Sequence, residues 1–379
     1  MKTLHIIPNI AARRGGTAYA VMNILALERS LGINSTVISI NADGVDAELF
    51  KSAKLVVLKP SFPKRFLFSK DGNEWLEENA HNYDLAVIHT IWGGFQVKAA
   101  QILHKNNIPF MIWPHGSLDP FDLQKKHYLK KLLGPIVIRQ MLDKSKAVIC
   151  TAKREAEKIE MYGSKTALKI LPLPVSPSGK NGKRDNFRHK HYLGDNDFVL
   201  LFLSLIYYKK GLGILIPAIK KLSIYYPNIK LVIAGADLNG YEKKVRGWIR
   251  KYCLEDNVIM TGFLSGQDKY DAFAGSDCFV LPSMNENFGI AVVEALNASL
   301  PVLISRNVYI WEEIIASGGG WVCDYSVESL AESIKSILEN PSDLKNKKDR
   351  AVYSARQFSP ENLKPLYKNF YEEFICQEK

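Results

Sequence analysis

Cysteine is scarce in this chain and is not clustered. Five cysteines occur among 379 residues at widely separated positions, and none forms a C-x-x-C pair or joins a histidine–cysteine cluster. An odd, dispersed set excludes a disulfide framework and gives no sign of a zinc site. We therefore expect buried free thiols in a reducing compartment.

Long apolar runs are also missing from the sequence. The densest run, residues 198–206, is far shorter than the roughly 20 residues that cross a bilayer. The apolar stretch near the N-terminus is too short and too soon interrupted for a signal peptide. We therefore expect a cytoplasmic protein that could lie on the inner face of the plasma membrane as a peripheral protein.

The second half of the chain has no net charge. Residues 201–379 hold 21 basic and 21 acidic side chains, whereas residues 1–200 hold 29 and 18, so the whole excess of +11 lies in the first half. This asymmetry predicts two halves with different partners. The basic, apolar-interleaved stretch 124–146 fits either an anionic lipid surface or an ordinary half-buried helix. Since no recognition motif accompanies it, we expect no nucleic-acid partner.

Short β-branched runs alternate with amphipathic stretches along the chain, which is typical of βαβ units around a mainly parallel sheet. The predicted strands are 4–7, 36–40, 55–58, 85–89, 110–113, 147–150, 168–171, 199–206, 230–234, 258–261, 278–281, 301–304 and 321–323. The predicted helices include 17–31, 96–105, 211–225, 241–252, 288–297 and 326–338.

Residues 173–197 are rich in proline, glycine and charge and have no apolar period, so we predict a linker there. The fold class is then α/β, with two doubly wound Rossmann-like domains, 1–172 and 198–359, facing a central cleft. The amphipathic end of the chain, 360–379, is expected to form a helix that completes the first domain. Sheets of this kind bind ligands where their strands end.

The most informative motif is PSMNENFGIAVVEAL, residues 282–296, which follows a predicted strand and leads into a helix. The free N–H groups of such a helix start form an anion site. Glu286 precedes the helix and Glu294 lies about two turns into it. Glu294 stands inside an apolar stretch, where a carboxylate needs a partner or a ligand.

This motif resembles the E-x7-E signature of family 4 retaining glycosyltransferases, which have the GT-B fold. The resemblance covers nearly the whole chain. It implies that Glu286 contacts the donor hexose and Glu294 the nucleotide ribose. It also implies that the backbone of Asn287, Phe288 and Gly289 donates N–H groups to sugar and phosphate.

A second loop, FLSLIYYKKG over residues 202–211, follows a strand and opens a helix. Lys210 is a candidate point charge for a diphosphate, and Gly211 allows a close turn of the backbone. The family usually has an arginine where this sequence has Leu205. Another cation, such as Lys209, Arg13 or Arg14, would have to compensate, or turnover is weak.

Four further loops follow predicted strands. The first holds Gly15 and Gly16, which allow close approach of a ligand, with Arg13 beside them. The motif PHGSLDP resembles one branch of the family, in which His115 would bond the donor sugar near the reacting carbon. Trp92 could line the acceptor side or serve as a buried anchor. The resemblance assigns the backbone of Gly262 and Phe263 to the nucleotide base.

The resemblance implies a retaining hexosyltransferase, and since no carboxylate trio for a metal is evident we expect it to be metal-independent and without a cofactor. It also implies a nucleotide diphosphate sugar as donor, first of all UDP-glucose, and a saccharide or lipid-linked saccharide as acceptor in bacterial exopolysaccharide synthesis. One alternative is a nucleotide-sugar-binding subunit that lost catalysis with the arginine at position 205. Another is an epimerase on the same architecture. The basic first half then predicts an anionic acceptor, or an anionic membrane that carries it.

Overall fold

A computed structural model gives the fold of the chain and divides it into two compact units. Unit 1 contains Met1–Pro174 with Leu363–Lys379, and unit 2 contains Val175–Asn362. The residues that the structure describes are 1–11, 15–40, 50–62, 66–118, 134–160, 163–177, 181–237 and 239–376.

Unit 1 is built on one parallel sheet of seven strands. These are β1 (Lys2–Ile7), β2 (Asn34–Ser39), β3 (Lys54–Val57), β4 (Leu85–His89), β5 (Phe110–Trp113), β6 (Ala147–Cys150) and β7 (Leu168–Ile170). Their order in the sheet is β3-β2-β1-β4-β5-β6-β7. The order reverses between β1 and β4, which makes this the switch point where a doubly wound sheet binds ligands.

The helices of unit 1 cover the two faces of this sheet. They are α1 (Gly16–Ser30), α2 (Lys70–Asn79), α3 (Gly94–Lys105), α4 (Arg139–Asp143) and α5 (Lys153–Glu160). A π-helical turn, Gly134–Ile138, leads into α4. Buried strand residues such as Leu4, Ile88 and Ile112 form the core with the helices. Strands covered on both faces read as continuous apolar runs, which is how the sequence shows them.

Unit 2 repeats the plan with six parallel strands. They are β8 (Phe198–Leu203), β9 (Ile229–Ala234), β10 (Val258–Gly262), β11 (Cys278–Leu281), β12 (Val302–Ser305) and β13 (Gly320–Cys323). Their order is β10-β9-β8-β11-β12-β13, so the switch point lies between β8 and β11. The helices are α6 (Arg184–Lys190), α7 (Leu212–Ser223), α8 (Tyr241–Lys251), α9 (Gly266–Ala274), α10 (Ile290–Asn297), α11 (Trp311–Ser317), α12 (Val327–Glu339) and α13 (Pro341–Arg356).

The chain ends in helix α14 (Pro360–Cys376), whose later turns pack in unit 1. Tyr367 donates its hydroxyl proton to the Pro172 carbonyl at 3.0 Å, and Lys364 donates to the Ser30 carbonyl at 2.8 Å. Tyr367 is fully buried. One face of this helix, with Leu363, Tyr367, Phe370 and Tyr371, is therefore buried in unit 1, although the helix is far from the rest of that unit in sequence.

All thirteen predicted strands are present, and the α/β class with two doubly wound sheets is confirmed. The stretch predicted as a linker differs from that prediction, because it contains helix α6. Phe187 and Arg188 are buried, and the Arg188 guanidinium pairs with Asp277 at 2.9 Å and bonds the Gly275 carbonyl at 3.0 Å. Phe187 and Arg188 anchor the segment to unit 2, but its high content of proline, glycine and charged residues gave no sign of a helix.

The prediction of buried thiols holds for Cys150, Cys278 and Cys323, whereas Cys253 is exposed. Cys253 follows α8 with a φ of 51°, so it occupies the left-handed position that ends the helix. Within the described ranges, no helix is both long enough and apolar enough to cross a membrane.

Candidate functional site

In unit 2, two predicted residues meet at the switch point of the sheet. Lys210 ends a short 3₁₀ turn after β8, and Glu286 lies in the loop after β11. The two strands are parallel neighbours, so these loops leave the same edge of the sheet. The Lys210 ammonium donates to a Glu286 carboxylate oxygen, and each side chain is 18% exposed. Sheet topology thus joins residues that lie 76 positions apart in sequence.

The two loops also touch through their backbones. Gly211 has a φ of 85°, and a β-carbon placed there would lie 1.9 Å from the Pro282 carbonyl oxygen. The Met284 N–H donates to the Lys209 carbonyl at 2.7 Å. Only glycine allows both this left-handed conformation and this close approach. The glycine in the K-K-G sequence therefore fixes how near Lys210 stands to the loop of Glu286.

The loop of Glu286 is anchored from its other side by the loop after β12. The Glu286 N–H donates to the Asn307 carbonyl at 2.9 Å, and the Tyr309 N–H donates to the Glu286 carbonyl at 3.0 Å. Asn285 donates its side-chain amide to the Tyr309 hydroxyl at 2.7 Å. The carboxylate of Glu286 is thus carried on a backbone that is bonded on both sides.

Helix α10 starts at Ile290, two residues later than predicted, and Gly289 precedes it with a φ of 77°. The Phe288 side chain is buried and packs edge-on against Phe358, with ring centroids 5.2 Å apart. The N–H groups of Phe288 and Gly289 donate to no group among the described residues. Two donors at a helix N-terminus, held by a buried aromatic anchor, form a suitable cradle for an anion.

Glu294 has a partner that the sequence did not reveal. Lys269, on α9, donates to a Glu294 carboxylate oxygen at 2.7 Å, and the two side chains are 13% and 14% exposed. Lys269 stands in a polar stretch without a motif, so no sequence signal singled it out. The expectation that Glu294 needs a partner is met here by a lysine on a neighbouring helix.

Three other predicted positions lie at the same end of this sheet. Gly262 ends β10 with a φ of 75° and open space around it, and Phe263 follows it and is 36% exposed. Leu205 lies partly buried after β8, where the family usually has arginine. Lys209, one of the cations considered in its place, is buried.

In unit 1, His115 lies in the turn after β5 and has a φ of 51°. A left-handed conformation is uncommon for a residue with a β-carbon, so the surroundings must hold it. The Gly116 N–H donates to the buried Glu155 carboxylate at 2.7 Å, and the same carboxylate accepts the Thr151 N–H at 2.7 Å. Glu155, which sequence reasoning missed, ties the His115 turn to the end of β6.

Trp92 supports the same turn from the loop after β4. Its indole N–H donates to the Ser117 carbonyl at 2.6 Å, and its ring packs partly buried against the core of unit 1. The His115 ring stacks on Trp113 with a centroid distance of 5.4 Å and an angle of 3°. Burial lowers the pKa of His115 to about 3, so its imidazole is neutral near pH 7.

The glycine loop after β1 is described only in part. Gly15 precedes α1 with a φ of 124°, and a β-carbon on Gly16 would meet nothing within 4 Å. Packing among the described residues therefore does not require glycine at position 16. Arg13 and Arg14 lie outside the described residues, as do residues 124–133 of the basic stretch 124–146.

Two family models match the chain one after the other. The model described as "Glycosyltransferase Family 4" matches residues 14–178, and "Glycosyl transferases group 1" matches residues 183–358. The two matches take in most of the chain, and two Rossmann-like parallel sheets are the architecture of the GT-B fold. The chain therefore belongs to the family 4 glycosyltransferases of the GT-B fold.

Individual relatives add detail to this assignment. An uncharacterized glycosyltransferase of Methanocaldococcus jannaschii is 30% identical over 160 residues, 41% of this chain and 39% of that protein. The alpha-monoglucosyldiacylglycerol synthase of Streptococcus pneumoniae is 22% identical over 79% of this chain and 68% of that protein. The matches span 39% and 47% of the first two curated relatives, less than half of each.

The solved structure of Anabaena HepE in complex with UDP-glucose is similar to this chain in fold. The TM-score is 0.81 at 19% identity, over 98% of this chain and 100% of that one. At this identity the likeness establishes the fold alone.

Proposed function

We propose that the protein is a retaining hexosyltransferase. It takes the hexose from a nucleotide diphosphate sugar and joins it to a hydroxyl of a saccharide or lipid-linked acceptor. The observation that carries the proposal is the Lys210–Glu286 pair at the switch point of the sheet. Beside it lie the backbone N–H groups of Phe288 and Gly289, which make no hydrogen bond among the described residues. A cation, a carboxylate and a helix N-terminus together match the diphosphate and the hydroxyls of such a donor.

Binding of the nucleotide sugar would replace the Lys210–Glu286 ion pair with one contact from each side chain to the ligand. Lys210 would turn from Glu286 to the diphosphate, and Glu286 would accept hydrogen bonds from hexose hydroxyls. Glu294 would accept from the ribose hydroxyls, with Lys269 holding its carboxylate in place. Because both pairs are largely buried, each ion is held near its position before the ligand arrives.

Cleavage of the bond between the anomeric carbon and the phosphate oxygen leaves negative charge on the diphosphate. Lys210 and the N–H groups of Phe288 and Gly289 stabilise that charge. The acceptor hydroxyl attacks from the face that the phosphate leaves, and its proton passes to the leaving phosphate oxygen. The anomeric configuration is therefore retained. Since the lysine and the helix N-terminus neutralise the diphosphate, we propose that no metal or cofactor is needed.

The donor and the acceptor are proposed from the relatives' chemistry. HepE was solved with UDP-glucose, which supports a UDP-hexose donor. The Streptococcus pneumoniae relative is named for a glucosyldiacylglycerol product, which supports a lipid-linked acceptor. We keep surface polysaccharide synthesis as the proposed setting, with the protein in the cytoplasm and peripheral on the membrane.

Several apolar side chains of unit 1 are exposed and could contact such a membrane. Phe62 is 92% exposed, and Phe66 and Phe68 nearby are 41% and 46% exposed. Ile136, within the basic stretch, is 62% exposed. Exposed aromatic residues within a basic half of the chain are suited to an anionic lipid surface.

The substitution at position 205 supports a second candidate, a nucleotide-sugar-binding subunit with little catalysis. Leucine cannot neutralise a leaving diphosphate, and the described Lys209 is buried. Such a subunit would bind the donor tightly and transfer no hexose. Transfer assays with a calorimetric binding control separate the two candidates, and formation of an altered hexose without an acceptor would identify an epimerase instead.

The test of the proposal is transfer by Lys210→Met and Glu286→Gln. We expect kcat/KM to fall on the order of a hundredfold or more in each, because Lys210→Met loses its contact with the developing charge and Glu286→Gln weakens the hydrogen bonds that orient the hexose. Lys221→Met is the matched control, since it breaks a lysine–glutamate pair, with Glu328, on the exposed surface. If both site variants transfer hexose as well as the control does, the mechanism is wrong.

A further inference from the structure

A continuous chain of hydrogen bonds leads from His115 into the core of unit 1. His115 Nε2 lies 2.9 Å from His89 Nδ1, and His89 Nε2 lies 2.9 Å from His5 Nδ1. His5 Nε2 lies 2.9 Å from Glu28 Oε2. His89 ends β4, His5 lies in the neighbouring β1, and Glu28 lies on α1. His5, His89 and Glu28 are fully buried.

The inner end of this chain is a carboxylate surrounded by donors. Besides His5, Glu28 accepts hydrogen bonds from the hydroxyls of Thr3 at 3.1 Å, Ser35 at 2.5 Å and Tyr371. Burial raises the pKa of Glu28, whereas the hydrogen bonds that it accepts from His5, Ser35 and Tyr371 lower it. Four donors around one carboxyl group hold it ionised, and an ionised carboxylate can only accept.

The direction of every bond in the chain follows from that end and from the number of protons on His5. His5 must donate through Nε2, and with that proton alone it accepts at Nδ1, whereas a second proton on Nδ1 would reverse the bonds to His89 and His115. His89 must in turn donate through Nε2 and accept at Nδ1. His115 must donate through Nε2 as well. Its Nδ1, which has no partner among the described residues, is left as an acceptor.

We propose that His5 carries one proton, on Nε2, and that Glu28, His5 and His89 are positioning residues that hold His115 as the neutral Nε2–H tautomer, so that its Nδ1 accepts a hydrogen bond from a substrate hydroxyl. This inference rests on the proposed function only in placing that substrate at His115. The ligand group that meets Nδ1 of His115 must then be a hydrogen-bond donor. A hydroxyl group of the hexose or of the acceptor can donate in this way. A phosphate oxygen, which can only accept, would be rejected there.

The surroundings of the rings support a neutral, fixed imidazole at His115. Burial lowers the pKa of His89 well below its ordinary value. The His115 ring is nearly parallel to Trp113, and it also stacks on His89 with centroids 5.1 Å apart. Rotation of the ring by half a turn would break its bond to His89.

The direct test is nitrogen NMR of the whole protein labelled with ¹⁵N-histidine near pH 7, without substrate. Spectra of His5→Asn, His89→Phe and His115→Asn variants assign the three rings. We expect His5, His89 and His115 each to carry one proton, on Nε2, with Nδ1 unprotonated. A protonated Nδ1 on His115, or an imidazolium at His5, would overturn the proposal. This readout needs no transfer activity, so it stands or falls separately from the proposed function.

The second test breaks the chain while keeping the aromatic packing. In His89→Phe the His115 Nε2–H has no acceptor, so we expect a mixture of tautomers and a fall in kcat of about ten- to a hundredfold. Tyr371→Phe is the matched control. It removes one hydroxyl donor from Glu28 but leaves the His5 bond, so the tautomer and kcat should stay unchanged. Equal kcat in His89→Phe and the unmodified protein would also overturn the proposal. If His89→Phe does not fold, the tautomer spectrum of the unmodified protein still decides the proposal.

Discussion

At the scale of single residues, the site in unit 2 consists of ions that neutralise one another until a ligand arrives. Lys210 pairs with Glu286, and Lys269 pairs with Glu294. Removing one member leaves the other buried and uncompensated, which costs more than the pair itself contributes. This is why the effect of each variant must be separated from a loss of stability, by a melting curve beside each assay.

The sequence could predict the acidic members of these pairs but not all of the basic ones. Glu286, Glu294 and Lys210 stand in motifs after strands, where their residue types have meaning. Lys269 and Glu155 have no such context, because their roles arise from packing between helices and loops distant in sequence. His5 in β1 and His89 in β4 are likewise single histidines without a motif, so the sequence did not indicate that they form a chain of hydrogen bonds with His115.

The buried histidines predict a protein that loses stability in mild acid. The pKa of His115 is about 3 in the folded chain, against about 6.5 when unfolded. The unfolded state therefore binds more protons below pH 6.5, so stability falls as the pH falls through that range. His115 alone should cost about 2 kcal/mol between pH 7 and pH 5.

Glu28 acts in the same direction, because its lowered pKa contributes stability that is lost as the carboxyl becomes protonated. Urea unfolding at pH 7 and pH 5, compared between the unmodified protein and His115→Asn, checks the prediction. The variant should lose less stability than the unmodified protein on acidification. Equal losses would show that His115 is protonated in the folded state.

At the scale of elements, the sequence predicted the strands because a parallel sheet covered on both faces needs continuous apolar runs. It could not predict α6, whose anchors Phe187 and Arg188 are two residues in a charged stretch. It also placed the start of α10 two residues early, because apolar Phe288 faces the core without being helical. Local composition identifies elements well, whereas single anchoring contacts depend on the fold.

The contact between the loops after β8 and β11 is testable with two glycines. Gly211 and Gly240 both precede a helix with positive φ, of 85° and 72°. Alanine costs about 1 kcal/mol of strain at either position, but only at Gly211 does its β-carbon meet a backbone oxygen, that of Pro282. We expect Gly211→Ala to lose at least about 2 kcal/mol of stability more than Gly240→Ala, and to weaken donor binding. Similar losses in urea unfolding would mean that the loops do not pack as described.

At the scale of the whole molecule, the uneven charge assigns different partners to the two halves. The excess of +11 lies in residues 1–200, whereas the site ions of unit 2 are paired locally. Salt screens exposed charges far more than buried pairs. Raising salt should therefore weaken binding to anionic lipid vesicles much more than nucleotide binding.

Sedimentation with vesicles of anionic and of zwitterionic lipid, beside calorimetry of nucleotide binding, measures both responses. Phe62→Ser should reduce vesicle binding severalfold, because it removes an exposed apolar group. Tyr225→Ser, at a residue 78% exposed in the half of the chain without net charge, is the control and should leave it unchanged. Equal salt sensitivity of the two interactions would argue against an anionic partner for the first half.

The central claim is that the Lys210–Glu286 site transfers a hexose with its anomeric configuration retained. The most direct measurement is proton NMR of the first product formed by the purified protein from a panel of nucleotide diphosphate hexoses and saccharide or lipid-linked acceptors. We predict a new glycoside whose anomeric coupling matches that of the donor, formed at least a hundredfold more slowly by Glu286→Gln. An inverted anomer, or tight donor binding with no glycoside from any member of the panel, would contradict the account.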